Sequence, residues 1–350
     1  MKEFGSDFHS VCDCQGEDNT VKDFYPKANC YADGRQALIH LYLTQGWQRL
    51  WVPNYFCYDV IASLKQFGLD LAFYHDWPES HVDDNTLENI QRSGRFRTTD
   101  AVLRVNYYGM RSYRSAEKLS VAAVVEDHTH DLIGGWAIQS TADWCIASLR
   151  KTLPIPEGGM LWSPKGLPLP NPPGHSSQNE EIATIRWEAM KLKAAYLAGE
   201  TVEKEAFRKG FVGTEEFFDT APICALDKTS LAYLKSFNIR EWYERKRENW
   251  NILKEIEKDG VSVLHPEDKG CYPFSLVLLF DSPEERERVR KELIAHQVYP
   301  TILWNIPVQA NDEIVNEIVK FSRKMLSIHC DARYTKDEIL DMKSIIESII

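Results

Sequence analysis

Short apolar runs alternate with amphipathic stretches through the first half of the chain. The stretch at 59–67 is apolar at positions 60, 61, 64 and 67, which is the spacing of one helix face, and a second helix is predicted at 37–43. The intervening apolar runs predict strands at 49–52, 71–74, 101–105, 121–126 and 144–148. Strands separated by helices indicate a parallel sheet with crossover connections, and hence the α/β class.

The pattern changes beyond residue 162. A stretch rich in Pro, Gly and Ser interrupts it at 163–177, and long amphipathic helices are predicted at about 181–198 and 238–258. The tail predicts a strand at 274–280, a helix at 283–296, a strand near 301–304 and helices near 312–321 and 336–349. We therefore predict a large α/β domain at 1–225, with a helical segment at about 165–225, and a small α+β domain at 226–350.

The net charge and the cysteines indicate what kind of molecule the protein acts on and where it is found. The 350 residues carry a net charge of -11, whereas a nucleic-acid-binding protein needs a basic face. The eight cysteines are scattered without a CxxC pair, which is typical of reduced thiols. The chain begins without an apolar core flanked by basic residues and contains no run of about 20 apolar residues. We expect a cytoplasmic protein that acts on small molecules.

Three segments with reactive residue types follow predicted strands, where sites of α/β sheets gather. The first is the turn DGRQA, which opens a helix. Backbone N–H groups at a helix start favour a phosphate, and Gly34 would let the backbone approach it closely. The same sequence also suits an ordinary turn before a helix.

The second segment, VAAVVEDHTHDL, reads as a buried strand that ends in acidic and imidazole side chains. A carboxylate such as Asp127 at that place needs a cation or several hydrogen-bond donors, and a protonated heteroaromatic nitrogen would serve. A helix N-cap is one alternative. A metal site built from Asp127, His128 and His130 is another, although no second cluster of ligands accompanies it.

The third segment, SLRKTLPIPEGGML, places Lys151 in a loop rich in Pro and Gly directly after a strand. A solvated surface lysine is the ordinary interpretation. A buried lysine beside Arg150 would instead have a lowered pKa, as a Schiff-base amine requires. A phosphate-binding helix start, an acidic residue at a strand end and a lysine on the next strand's loop together suit an enzyme that uses pyridoxal 5'-phosphate (PLP).

These motifs resemble those of the DegT/StrS family of sugar aminotransferases, which are PLP-dependent enzymes of fold-type I. GRQALIHLYL resembles the family's helix start, VVEDHTHDLIG its Glu-Asp-Ala-Ala-Gln/His run and SLRKTLPIPEGGML its Ser, Lys and Gly-Gly loop. WVPNYFCYDV, VNYYGM and the tail from FSRKML onward also resemble family segments. The resemblance implies a large, mainly parallel sheet domain with a smaller C-terminal α+β domain.

The resemblance also implies roles for individual residues. Lys151 would form the Schiff base, Asp127 would pair with the pyridine nitrogen, and His130 would contact the phenolate oxygen of the cofactor. The helix start and Ser148 would bind the phosphate, and the ring would stack on a side chain within 55–58, where strict alignment selects Cys57. The implied cofactor-binding set is Gly34, Arg35, Gln36, Tyr55, Phe56, Cys57, Asp127, His130, Ser148 and Lys151.

The implied activity is transfer of an amino group from an amino acid, by analogy glutamate, to a keto sugar by a homodimeric enzyme. Two features depart from the family: the interval from Ser148 to Lys151 is short, and the Asn-Tyr-Arg motif that reaches the neighbouring subunit's cofactor is absent. Another PLP reaction, of the lyase or desulfurase type, is an alternative. A PLP-binding protein without turnover is a second one.

Overall fold

A seven-stranded sheet forms the centre of the computed structural model, which describes residues 3–80, 83–115, 119–307 and 316–350. The first eight strands of the chain are β1 (Phe4–Gly5), β2 (Asn29–Tyr31), β3 (Arg49–Pro53), β4 (Leu71–Tyr74), β5 (Asp100–Val105), β6 (Ala123–Asp127), β7 (Trp144–Ser148) and β8 (Gly159–Trp162). The sheet has the order β2-β8-β7-β6-β5-β3-β4. Its five strands from β3 to β7 are mutually parallel, whereas β8 is antiparallel to β7 and β2. The predicted mainly parallel sheet is therefore confirmed.

Helices connect the parallel strands and continue into the second half of the chain. They are α1 (Val21–Phe24), α2 (Gly34–Gln45), α3 (Tyr58–Gln66), α4 (Asp83–Arg92), α5 (Gly135–Gln139), α6 (Ser177–Leu197), α7 (Lys204–Glu215), α8 (Phe217–Thr220), α9 (Lys228–Lys235), α10 (Ile239–Leu253), α11 (Pro283–Ala295), α12 (Asn316–Lys324) and α13 (Lys336–Ile349). Short 3-10 turns lie at Tyr107–Gly109 and Leu149–Lys151. No helix among the described residues is both long and apolar enough to cross a bilayer.

A second sheet lies in the C-terminal part, where β9 (Val261–Val263) and β12 (Met325–His329) both pair antiparallel with β10 (Ser275–Phe280). The strand predicted near 301–304 is wrong. The chain instead forms β11 (Val298–Tyr299), which pairs with β1, and then makes only an isolated bridge at Thr301. The prediction of a helix near 312–321 is confirmed from residue 316 onward, and its start lies outside the described residues.

The two parts of the chain share apolar clusters. Phe237 and Trp242, which follow residue 225, pack in one cluster with Cys145 and Ala147 of the main sheet. Phe4 packs instead with side chains of the second sheet. The domain boundary at 225 therefore stays a prediction. All eight cysteines are free thiols, as the sequence predicts.

The carboxyl ends of the parallel strands are aligned by their register. Val105 at the end of β5 pairs with Asp127 at the end of β6, which in turn pairs with Ile146 of β7. Residues that follow these strands therefore meet at one edge of the sheet. Helix α2 also begins at this edge, because its N-cap residue Asp33 bridges to Gly158 beside the Lys151 turn.

Candidate active site

A cavity of about 190 Å³ opens at the carboxyl ends of β5, β6 and β7. Its lining includes eight of the ten residues predicted to bind the cofactor: Gly34, Arg35, Phe56, Cys57, Asp127, His130, Ser148 and Lys151. Gln36 lies outside this lining, where its side-chain oxygen accepts a hydrogen bond from the Cys224 backbone N–H at 3.1 Å. Tyr55 also lies outside it, fully buried, with its hydroxyl 2.9 Å from that of Tyr108. Residues from segments far apart in sequence thus converge at this edge.

Lys151 projects into the cavity from the 3-10 turn that follows β7. Its amine makes no hydrogen bond or ion pair with any residue in the described part of the chain, and its side chain is exposed to the cavity. The adjacent Arg150 cation, together with burial of the amine among protein groups, lowers the pKa of Lys151 to about 8. The unpartnered amine is therefore neutral far more often than a surface lysine.

Asp127 is the last residue of β6, and its carboxylate lines the same cavity. One carboxylate oxygen, Oδ1, accepts a hydrogen bond from the Thr129 backbone N–H at 2.8 Å. Burial raises the pKa of Asp127. The Thr129 hydroxyl accepts a hydrogen bond from the Ser148 N–H at 2.9 Å, which links the ends of β6 and β7. A cation or a protonated ring nitrogen in the cavity would hold this carboxylate in its charged form.

His130 is held as a neutral imidazole. Its Nδ1 accepts a hydrogen bond from the Tyr108 backbone N–H at 3.0 Å, so its proton resides on Nε2. Burial, with the nearby cations of Lys246 and Lys151, lowers the pKa of His130 to about 3. The ring stacks on Phe274 with centroids 4.5 Å apart, and it lines the cavity with a hydrogen-bond donor to spare.

The start of α2 forms the far end of the cavity. A Cβ on Gly34 would lie 2.9 Å from both Cα and Cβ of Ser148, so only glycine permits this approach of the helix to β7. Asp33 caps the helix by accepting a hydrogen bond from the Arg35 N–H at 2.8 Å. A backbone cradle for an anion is therefore present, but it already has a carboxylate at its rim.

Two arginines offset the negative charge of the Asp33 carboxylate. The Arg35 side chain lies 3.3 Å from Asp33 and 2.5 Å from Asp219, and Arg150 lies 3.6 Å from Asp33 and 2.9 Å from Glu215. Burial opposes ionisation of Glu215, yet Arg150 and the other cations nearby lower its pKa to about 2. Sequence reasoning missed Glu215 and Asp219, because α7 and α8 match none of the family motifs and their helical pattern gives no sign that they reach this cavity.

The predicted stacking segment contributes Phe56 and Cys57 to the lining. Phe274 and Trp304, which the sequence did not single out, add aromatic surface from the C-terminal part of the chain. Burial raises the pKa of the Cys57 thiol, which keeps it protonated and makes it a poor nucleophile. This position gives the desulfurase alternative no support.

The residues of the cavity fit pyridoxal phosphate. Three groups meet in one cavity. The unpartnered amine suits an aldehyde, the carboxylate that needs a cationic partner suits a protonated ring nitrogen, and the glycine-lined helix start suits a phosphate. The fit extends to the ring oxygen, since the Nε2–H of His130 is a free donor among the described residues.

The metal alternative is not supported by the arrangement of the imidazoles. His128 turns away from Asp127 and hydrogen-bonds through Nε2 to Glu126 at 3.1 Å. Where the structure is described, the one group that approaches a ligand cluster is Glu126, His128 and Cys145, and all three are buried in the core. Asp127, His128 and His130 are therefore not assembled around one point.

Comparisons with known proteins find likeness in structure only. No family model matches the chain, and no curated protein matches it in sequence. Spr1654 from Streptococcus pneumoniae, named a sugar aminotransferase and solved in a PLP-form, is 11% identical, with a TM-score of 0.65 over 100% of both chains. The aminotransferase TlmJ from Streptoalloteichus hindustanus is 11% identical, with a TM-score of 0.63 over 99% of this chain and 98% of that one.

A third solved structure is a DegT DnrJ EryC1 StrS aminotransferase from Brucella abortus. It is 13% identical, with a TM-score of 0.59 over 94% of this chain and 89% of its own. The fold-type I arrangement expected from the sequence motifs is thereby confirmed. The chain has the fold of the DegT/DnrJ/EryC1/StrS aminotransferases.

Proposed function

We propose that this chain is a PLP-dependent aminotransferase. The observation that carries the proposal is the position of the free Lys151 amine in one cavity with Asp127, at the carboxyl ends of adjacent parallel strands. The fold supports the same conclusion, because three solved structures that share it are named aminotransferases. Residues that lie more than 100 positions apart, from Gly34 to Lys151, meet in this cavity.

The cofactor, when bound, would supply an electrophilic aldehyde and an electron-withdrawing ring. Asp127 would hold the ring nitrogen in its protonated form, and burial of its carboxylate makes that partner favourable. Lys151 can accept and return a proton at Nζ near neutral pH, because its pKa of about 8 lies close to the working range. His130 would donate from Nε2, while the start of α2 and Ser148 would bind the phosphate.

The amino acceptor that we propose is a keto sugar, because Spr1654 is named a sugar aminotransferase. The proposed donor is an amino acid, and glutamate follows by analogy with the family. We also expect a cytoplasmic homodimer.

The experiment is titration of the PLP-loaded chain with glutamate, followed by absorbance. Wild type should convert its bound cofactor from the aldehyde to the amine form, and a keto sugar should reverse the change. Lys151→Ala should abolish the conversion, whereas Lys165→Ala, which removes a surface lysine paired with Asp143, should leave it intact. Absence of a spectral change with any amino acid would favour a binding protein without turnover, and release of pyruvate or sulfide would favour the lyase and desulfurase alternatives.

A further inference from the structure

A second cavity, of about 290 Å³, lies on the other side of Lys151. The two cavities share Arg150, Lys151, Phe274 and Leu303 in their linings, so the lysine amine stands at their boundary. Of the residues predicted from the sequence to bind the cofactor, only Lys151 lines this second cavity. It is therefore available to a different molecule that must reach the same amine.

Arg186 of α6 lines only the second cavity, and its side chain is 4% exposed. Its Nε donates to the Pro156 carbonyl at 2.9 Å, and its Nη1 donates to the Thr214 hydroxyl at 3.1 Å and to Glu215 at 3.0 Å. These bonds fix the plane of the guanidinium. Its remaining nitrogen, Nη2, makes no hydrogen bond with any residue in the described ranges.

Arg150 is held in place by the other oxygen of the same Glu215 carboxylate. Its Nη2 donates to Glu215 Oε1 at 2.9 Å, whereas Arg186 binds Glu215 Oε2. Arg150 Nη1, like Arg186 Nη2, makes no hydrogen bond among the described residues. One carboxylate thus aligns two buried guanidinium groups side by side, and each keeps an unused donor nitrogen.

The charge of the lining favours an anion. It carries the cations of Arg150, Lys151 and Arg186 against a single carboxylate, that of Asp7, which is exposed. Apolar side chains, among them Phe8, Met190 and Phe211, form much of the remaining wall. Glu215 offsets one charge of the arginine pair, and the unused donors of the two guanidinium groups suit a planar carboxylate through charge-assisted hydrogen bonds.

We propose that Arg186 and Arg150 bind a carboxylate of the amino donor, or of the keto acid derived from it, in the second cavity. This inference rests on the proposed aminotransferase function for the role of the ligand, but the binding site itself does not depend on the cofactor. Because the cavity lies at the small end of ligand sites, it suits a short carboxylic acid and not a nucleotide-linked sugar. The carboxylate would hold the reacting carbon beside Lys151.

The test measures binding of glutarate, a five-carbon dicarboxylate without an amino or keto group, by calorimetry. The PLP-loaded wild type and the Arg186→Met and Arg186→Lys variants are compared, each with and without cofactor. Loss of a charge-assisted pair should weaken glutarate binding by about 10- to 100-fold in Arg186→Met, with a smaller loss in Arg186→Lys. Arg208→Met, which removes an exposed arginine from the neighbouring helix α7, should bind glutarate like wild type.

Cofactor absorbance separates the two proposals, because Arg186 does not line the cofactor cavity. Equal PLP absorbance with weakened glutarate binding in both variants supports the carboxylate site. Unchanged glutarate binding in Arg186→Met overturns it, even where PLP binds normally to Lys151. If the chain does not bind PLP but glutarate binding still depends on Arg186, the proposed carboxylate site stands and the proposed aminotransferase function is overturned. Arg186→Lys supplies the comparison if the methionine variant fails to fold.

Discussion

Replacing Arg150 with Gln should raise the pKa of Lys151. Arg150 is the largest cause of the lowered value, ahead of burial, and its removal also leaves Glu215 free to stabilise the lysine cation. With a pKa of about 8, about 9% of the amine is neutral at pH 7. If the variant's pKa lies between about 9 and 10, that fraction falls to about 1% or 0.1%, so reactivity at pH 7 should fall about 10- to 100-fold.

The assay is competitive labelling of the cofactor-free chain with trace acetic anhydride between pH 6 and 11, with the labelled peptide quantified by mass spectrometry. Only the neutral amine reacts, so the profile reports the pKa of Lys151 without any cofactor. Arg150→Lys retains the cation and should keep the wild-type midpoint. An Arg150→Gln profile that coincides with that of wild type, or an equally large shift of the midpoint in Arg150→Lys, would show that the Arg150 cation does not lower the pKa of Lys151.

Three further predictions concern the surroundings of the lysine. Asp219→Asn removes the carboxylate that pairs with Arg35 and should tighten PLP binding several-fold in a fluorescence titration. Weaker binding would show that the Asp219 carboxylate helps to bind the phosphate. Gly34→Ala places a methyl group 2.9 Å from Ser148 and should weaken PLP binding at least 10-fold in the same titration, whereas wild-type affinity would show that the helix start can move at no cost. Burial raises the pKa of Glu157 from 4.5 to about 7, so the free energy of unfolding falls as pH rises through that interval and levels off above it. Relative to wild type, Glu157→Gln should gain about 2 to 3 kcal/mol of unfolding free energy between pH 5 and 8 in urea titrations, and a constant difference would contradict this.

The central sheet was predictable because its strands are buried on both faces. Runs such as 121–125 are continuously apolar, and helices separate the strands in sequence, so the parallel arrangement follows from local patterns. The tail was harder to predict. Strand β12 follows helix α12 without a turn signal. The strand predicted near 301–304 failed because the chain turns at Leu303 and Trp304, which line the cavity instead of pairing.

Site residues that immediately follow strands were found from the sequence, because parallel strands bring their carboxyl ends together. Asp127 and Lys151 are the clearest cases. Residues supplied by helix packing could not be found in this way. Arg186 and Glu215 lie on α6 and α7, where a charged residue ordinarily faces water, and only tertiary packing shows that they are directed toward the lysine.

The central claim is that the amine of Lys151 links covalently to the cofactor aldehyde. It is tested most directly by borohydride reduction of the PLP-loaded chain, proteolysis and mass spectrometry of the tagged peptide. We predict one stable pyridoxyl tag, on Lys151, which disappears in Lys151→Ala and persists in Lys165→Ala. A tag on another lysine, or no tag on any peptide of a chain that has bound PLP, would contradict the account.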